Sequence, residues 1–295
     1  MDTHPHPVPW QTPRTQGPAG ALPAGGSVLA DLLRRLIAWL ALSVAALAGA
    51  GAAAALLFRV QGGIARRSIL QPLGDEAPFA DRTYRRKLGH PLRLLMVGDS
   101  IAAGLGADKP KHTLGARLAK GLADETGRSV RLRTAAVVGS EASMLDAQLD
   151  SLPLGYKPDI AVIAVGGNDV THRVRTARSA ADLGAAIVRL RSMGAEVVVA
   201  TCPDLGVLRT VPQPLRTVGQ SASRRMAAAQ ARTARAAGAY SVSLGDTLGP
   251  LFRACPEDMF AADRFHPSSL GYRRAAKVIL PAVLGALGVQ ARDSA

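Results

Sequence analysis

From Leu92 onward, short apolar runs alternate with stretches of helical period. Leu92–Val97, Ile160–Val165 and Glu196–Thr201 are near-continuous apolar segments of strand length. Such runs predict parallel strands buried on both faces. Val130–Ala135 is a weaker strand of the same kind, and Tyr240–Leu244 a last short one. Between them the apolar positions recur with helical spacing. Thr113 is placed to cap a helix that runs to Thr126 and stops at Gly127. Ser179–Met193 is helical and ends at Gly194; Ser221–Ala237 is helical and ends at Gly238. Ser268–Leu287 forms the closing helix, in which Pro281 is expected to introduce a kink. Strands alternating with helices predict an α/β domain with a parallel sheet covered on both faces. The stretch from Asp204 to Gln220 reads as a loop, and its Pro, Val and Leu content points to an apolar pocket wall.

The N-terminal part has a different pattern. Leu36–Phe58 is an uncharged apolar run. At about 1.5 Å per residue, its length suits a bilayer core about 30 Å thick. It reads as a transmembrane anchor, with a cleaved signal segment as the competitor, since Ala48, Gly49 and Ala50 resemble a cleavage site. Residues 1–35 read as a disordered basic tail in which His4 and His6 are solvated, 59–91 as a linker, 92–288 as the main folded domain and 289–295 as a C-terminal tail. Arg34 and Arg35 precede the apolar run and Arg59, Arg66 and Arg67 follow it, so positive charge does not decide orientation. The expected topology is a single-pass membrane protein with the 92–288 domain outside the cytoplasm, or a secreted one if the segment is cleaved.

Net charge enters here. The chain carries a formal +14. No helix-turn-helix, RNA-binding aromatic motif or zinc-finger spacing accompanies it, so nucleic acid is not an expected partner. A basic surface beside an anionic membrane or cell envelope is the simpler reading. The two cysteines, Cys202 and Cys255, form no CxxC pair, so neither a zinc site nor a redox motif is indicated. A disulfide between them and two buried thiols both remain open.

The chemistry gathers at the ends of strands. In a parallel α/β sheet, ligands bind beyond the carboxyl ends of the strands. The first strand of the domain runs into Gly98-Asp99-Ser100, which puts a hydroxyl nucleophile there. A hydroxyl needs a base. Asp263-Arg264-Phe265-His266-Pro267 supplies one: a single turn brings the Asp263 carboxylate to one imidazole nitrogen of His266 and leaves the other for the Ser100 proton. Acyl transfer also needs donors for an oxyanion. Asn168, in Gly166-Gly167-Asn168-Asp169, offers its amide after one strand; Gly139 offers a backbone N–H after another; the Ser100 N–H is the third. Asp99 and Asp169 read as structural loop carboxylates, His172 as a loop residue near the cleft, and His90 and His112 have no partner pattern.

These blocks, Ser100, Gly139, Asn168 and Asp263 with His266, resemble those of the SGNH (GDSL-like) hydrolase superfamily in the same chain order. The pattern is also similar to that of exported actinobacterial SGNH esterases. The resemblance covers roughly Leu92 to Leu287. It implies a flavodoxin-like three-layer αβα sandwich, a Ser–His–Asp group, an oxyanion hole from Ser100, Gly139 and Asn168, and neither metal nor cofactor. Two departures from the family pattern stand out. Ile101 stands where many members have Leu, and Ala135 and Ala136 occupy the region where an Asn often precedes the glycine. Gly98 to Ala102 is also close to the G-x-S-x-G elbow of α/β-hydrolases. That fold sets its nucleophile after several strands and leaves Asn168 without a role, so it is rejected. The expected activity is hydrolysis of a small-molecule, lipid or carbohydrate ester. The alternatives are acyl transfer to a cell-envelope carbohydrate hydroxyl and a non-catalytic, membrane-tethered binding protein.

Overall fold

The computed structural model describes Met1, residues 25–69 and residues 76–289. The expected N-terminal tail up to residue 24, with His4 and His6, and the C-terminal tail from residue 290 lie outside the described residues. The chain divides into two units, Met1–Leu56 and Leu57–Ala295.

The first unit holds most of a long helix, α1 (Gly25–Ile69), which takes in residues expected in the tail and the linker. Within it, Val28–Ile64 has a mean hydropathy of 2.1 and is long and apolar enough to cross a membrane. A membrane anchor and a signal sequence both fit that description.

The second unit is built on a six-stranded sheet. Its strands are β1 (Thr83–Tyr84), β2 (Leu92–Gly98), β3 (Val130–Thr134), β4 (Ile160–Ala164), β5 (Glu196–Ala200) and β6 (Tyr240–Val242). They lie in the order β1-β3-β2-β4-β5-β6. The β3-β2-β4-β5-β6 ladder is parallel throughout. β1 pairs antiparallel with β3 and adds a short antiparallel edge to the expected parallel sheet. Two residues carry no readable hydrophobic period, which is why this edge strand is silent in the sequence.

Side chains of successive strand residues point to opposite faces. Leu94, Met96, Ile160, Val162 and Val198 therefore pack on one side with α3 (Leu114–Thr126) and α10 (Ser269–Ala286). Leu95, Val97, Ala161, Ile163, Val197 and Val199 pack on the other with α4 (Leu145–Asp150) and α6 (Thr176–Ser192), joined by Ala234 of α7 (Leu215–Ala236). This three-layer arrangement explains the unbroken apolar runs of β2, β4 and β5. The predicted caps are in place. Thr113 accepts from the Ala116 N–H at 3.3 Å, and Ser268 accepts from the Leu270 and Gly271 N–H groups. The helix α10 continues through Pro281.

The remaining helices are short or were not foreseen: α2 (Ser100–Ala103), α5 (Gly167–Thr171), α8 (Leu244–Ala254) and α9 (Pro256–Met259). Helix α7 begins at Leu215, so the last part of the predicted loop is helical.

Candidate active site

The site begins where β2 ends. Gly98 has φ +133°, and a Cβ there would lie 1.9 Å from the Ala164 carbonyl oxygen of β4. Only glycine lets the chain leave the strand this close to its neighbour. Asp99 then caps α2, accepting from the Ile101 N–H at 2.9 Å. Ser100 is the first residue of that helix and is buried.

A closed loop brings the base to it. Phe260 and Pro267 pair across the loop, the Ala261 N–H donates to the His266 carbonyl at 2.8 Å, and Arg264 adopts a left-handed conformation at the tip. Asp263 is turned inward and buried. One of its oxygens accepts from the Phe265 and His266 N–H groups, both at 3.0 Å. Its other oxygen lies 2.5 Å from His266 Nδ1. Burial pushes the Asp263 carboxyl up, but the hydrogen bonds from the His266 ring and from the two backbone N–H groups outweigh it and hold the group below the usual carboxylate range. An ionised carboxylate only accepts, so Nδ1 carries the proton and Nε2 is left as an acceptor. His266 Nε2 stands 2.9 Å from Ser100 Oγ. Gly106 makes room for this loop: a Cβ there would fall 2.5 Å from the Pro267 carbonyl and 3.1 Å from His266 Cβ.

Asn168 opens α5 just beyond β4, and its Nδ2 donates to the Ser140 carbonyl at 2.9 Å. Gly139 sits beside Ser140 in an exposed turn, at φ +81°. Ser100, Asn168 and His266 line one open cavity. Asp263 stands behind His266, outside the cavity lining, and Gly139 is likewise not part of it. Asp169 is buried and accepts from the Ala142 N–H, which ties α5 to the segment after β3. His172 pairs with Glu141 at 2.7 Å on the surface. His112, for which the sequence offered no partner, pairs with Asp108 at 2.7 Å, four residues earlier in the chain.

Apart from Asp99 and Asp204, the rest of the cavity wall is apolar. Leu205, Val207 and Leu208 come from the loop after β5, and Leu244, Leu248 and Phe252 from α8. The loop contribution was expected; that of α8 was missed. Its signal is nonetheless present, since Leu244, Leu248 and Phe252 recur every four residues after the capping Ser243. Asp204 fastens the loop: its buried carboxylate meets Arg253 of α8 at 3.0 Å and Gln220 of α7 at 3.2 Å. Cys202 and Cys255 are free thiols, and burial raises the Cys202 thiol well above its ordinary value.

The sequence model of the GDSL-like lipase/acylhydrolase family matches residues 96–274. The chain is 40% identical over 232 residues to the GDSL-like esterase Rv1075c of Mycobacterium tuberculosis, covering 75% of this chain and 74% of that one. It is 37% identical over 106 residues to the esterase TesA of Pseudomonas aeruginosa, which covers 36% of this chain and 52% of that one. A crystal structure of TesA superposes with a TM-score of 0.53 at 26% identity, over 66% of this chain and 99% of the other. Taken with the αβα sheet, these matches establish that the chain belongs to the GDSL-like lipase/acylhydrolase family and is an SGNH-type serine esterase.

Proposed function

We propose that Ser100 is the nucleophile, His266 the general base and Asp263 the residue that orients and charges the base. The observation that carries this reading is the unbroken series Ser100 Oγ–His266 Nε2 at 2.9 Å and His266 Nδ1–Asp263 at 2.5 Å. Ser100 Oγ attacks the ester carbonyl as its proton passes to Nε2. The tetrahedral oxyanion is held by the Ser100 and Gly139 N–H groups and the Asn168 amide. His266 returns the proton to the leaving alcohol, which breaks the C–O bond and leaves an acyl-serine. Water, deprotonated by His266, attacks the acyl carbon and releases the acid and free Ser100. Asp263 stays ionised throughout and stabilises the imidazolium.

The apolar cavity beside Ser100 favours an ester with an apolar acyl group. The helix α1, long and apolar enough to cross a bilayer, supports attachment of residues 92–288, the catalytic region, to a membrane. Ser100→Ala tests the core of the reading. The variant is expected to fold and to lose turnover of a short-chain 4-nitrophenyl ester by several orders of magnitude, on the order of 10⁶ in kcat. A folded Ser100→Ala protein with full activity would remove Ser100 from the mechanism.

A further inference from the structure

The proposed oxyanion donors sit on separate segments after β3 and β4, and one buried side chain connects them to the nucleophile's strand. Gln148, on α4, is 4% exposed. Its Oε1 accepts from the Gly98 N–H at 2.9 Å, and its Nε2 donates to the Gly98 carbonyl at 2.8 Å. The same amide nitrogen donates to Ser140 Oγ at 3.0 Å. Both amide protons of Gln148 are thus engaged, which fixes the plane of the side chain. Ser140 is 1% exposed, and its carbonyl accepts from Asn168 Nδ2 at 2.9 Å. The Val137 N–H also donates to the Gly98 carbonyl, at 3.1 Å, and docks the start of this turn on the end of β2.

We infer that Gln148 is a positioning residue for the oxyanion hole, acting on Asn168 through Ser140. The inference rests on the oxyanion assignment proposed above. An oxyanion hole works because its donors are aimed before the charge develops. The Asn168 amide has two protons, and the Ser140 carbonyl takes one. That bond sets the orientation of the amide and leaves the second proton for the substrate oxygen. Where the second proton points depends on where the Ser140 carbonyl is held. Ser140 is held by Gln148, and Gln148 reads both backbone groups of Gly98, two residues before Ser100. The chain Gly98–Gln148–Ser140–Asn168 therefore locks the donor to the strand that carries the nucleophile.

The test is a double-mutant cycle on a short-chain ester, with thermal unfolding measured in parallel. Asn168→Ala alone is expected to lower kcat by about 10²- to 10³-fold. Gln148→Leu alone is expected to lower kcat by roughly 10- to 100-fold, as an oxyanion donor is loosened but not removed, with KM changed less than about two-fold. Because both act through one donor, Gln148→Leu should cost nothing further in the Asn168→Ala background. Losses that multiply in the double variant, or an unchanged kcat in Gln148→Leu, would overturn the inference. If Gln148→Leu does not fold, Ser140→Ala cuts the same chain and keeps the Gln148–Gly98 pair. It must lower kcat and fall silent beside Asn168→Ala, or the inference fails. A silent Asn168→Ala would instead remove the oxyanion assignment itself and this inference with it, whereas loss of activity in Ser100→Ala tests the nucleophile independently.

Discussion

Two buried carboxylates lie near the same imidazole, and their surroundings push them in opposite directions. Asp263 is held low by three donors. Asp99 is raised to about 7, because burial outweighs the Ile101 and Gly167 N–H groups and the attraction of His266. Both residues were legible in the sequence as an Asp beside a Ser and an Asp before a His. Their charge states were not, since burial and donor count arise only in the fold. The consequence for stability has a definite sign. Asp99 titrates near 3.8 when unfolded and near 7 when folded. The folded state therefore binds the proton more tightly, so the contribution of Asp99 is full below about 4 and is lost as pH rises through about 7. Asp99→Asn keeps an oxygen to accept from Ile101 and has no proton to lose. Relative to wild type, the variant is expected to gain several degrees in Tm at pH 8.5 compared with pH 4, on the order of a few kcal/mol. Unfolding curves at the two pH values check this. An equal offset at both would mean that Asp99 does not titrate with folding.

The elements show where sequence patterning succeeds and where it stops. Strands β2, β4 and β5 are buried on both faces, so their apolar runs are unbroken and readable. Helices α3 and α10 carry side-chain caps that the sequence displays as Thr113 and Ser268. By contrast, α8 follows β6 after a single residue and contains Gly245, Gly249 and Pro250, residues that usually mark turns. Its glycines face the Asp204 segment, where a Cβ on Gly249 would meet Asp204 Cβ at 3.7 Å, in ordinary contact. Gly249 also lines the cavity. Gly249→Leu thus adds a side chain to the wall without a backbone clash. If the cavity takes the acyl group, the ratio of kcat/KM for octanoate over acetate esters is expected to fall by about 10-fold or more, through lost pocket volume. An unchanged ratio would place the acyl chain elsewhere.

At the scale of the whole chain, one sequence joins an apolar helix to a soluble type of catalytic fold, and the composition of that helix makes its fate a physical question. Val28–Ile64 is apolar enough to span, but much of it is alanine, which inserts only weakly. The surrounding chain is basic, with a formal net charge of +14, and Lys and Arg near a membrane are attracted to anionic lipid by about 1 kcal/mol each. Two forces thus favour retention at a membrane, burial of the helix and attraction of the basic surface, and salt separates them because it screens only the second. Full-length protein expressed in an actinobacterial host is expected to stay in the membrane fraction through a 1 M salt wash and to leave it in detergent, with its N-terminus intact by mass spectrometry. Release by salt would assign the attachment to surface charge. A soluble product whose N-terminus begins near Ala50 would make the helix a cleaved signal. A soluble product that still starts at Met1 would sink both readings, because an exposed apolar helix of this length needs either a bilayer or removal to coexist with water.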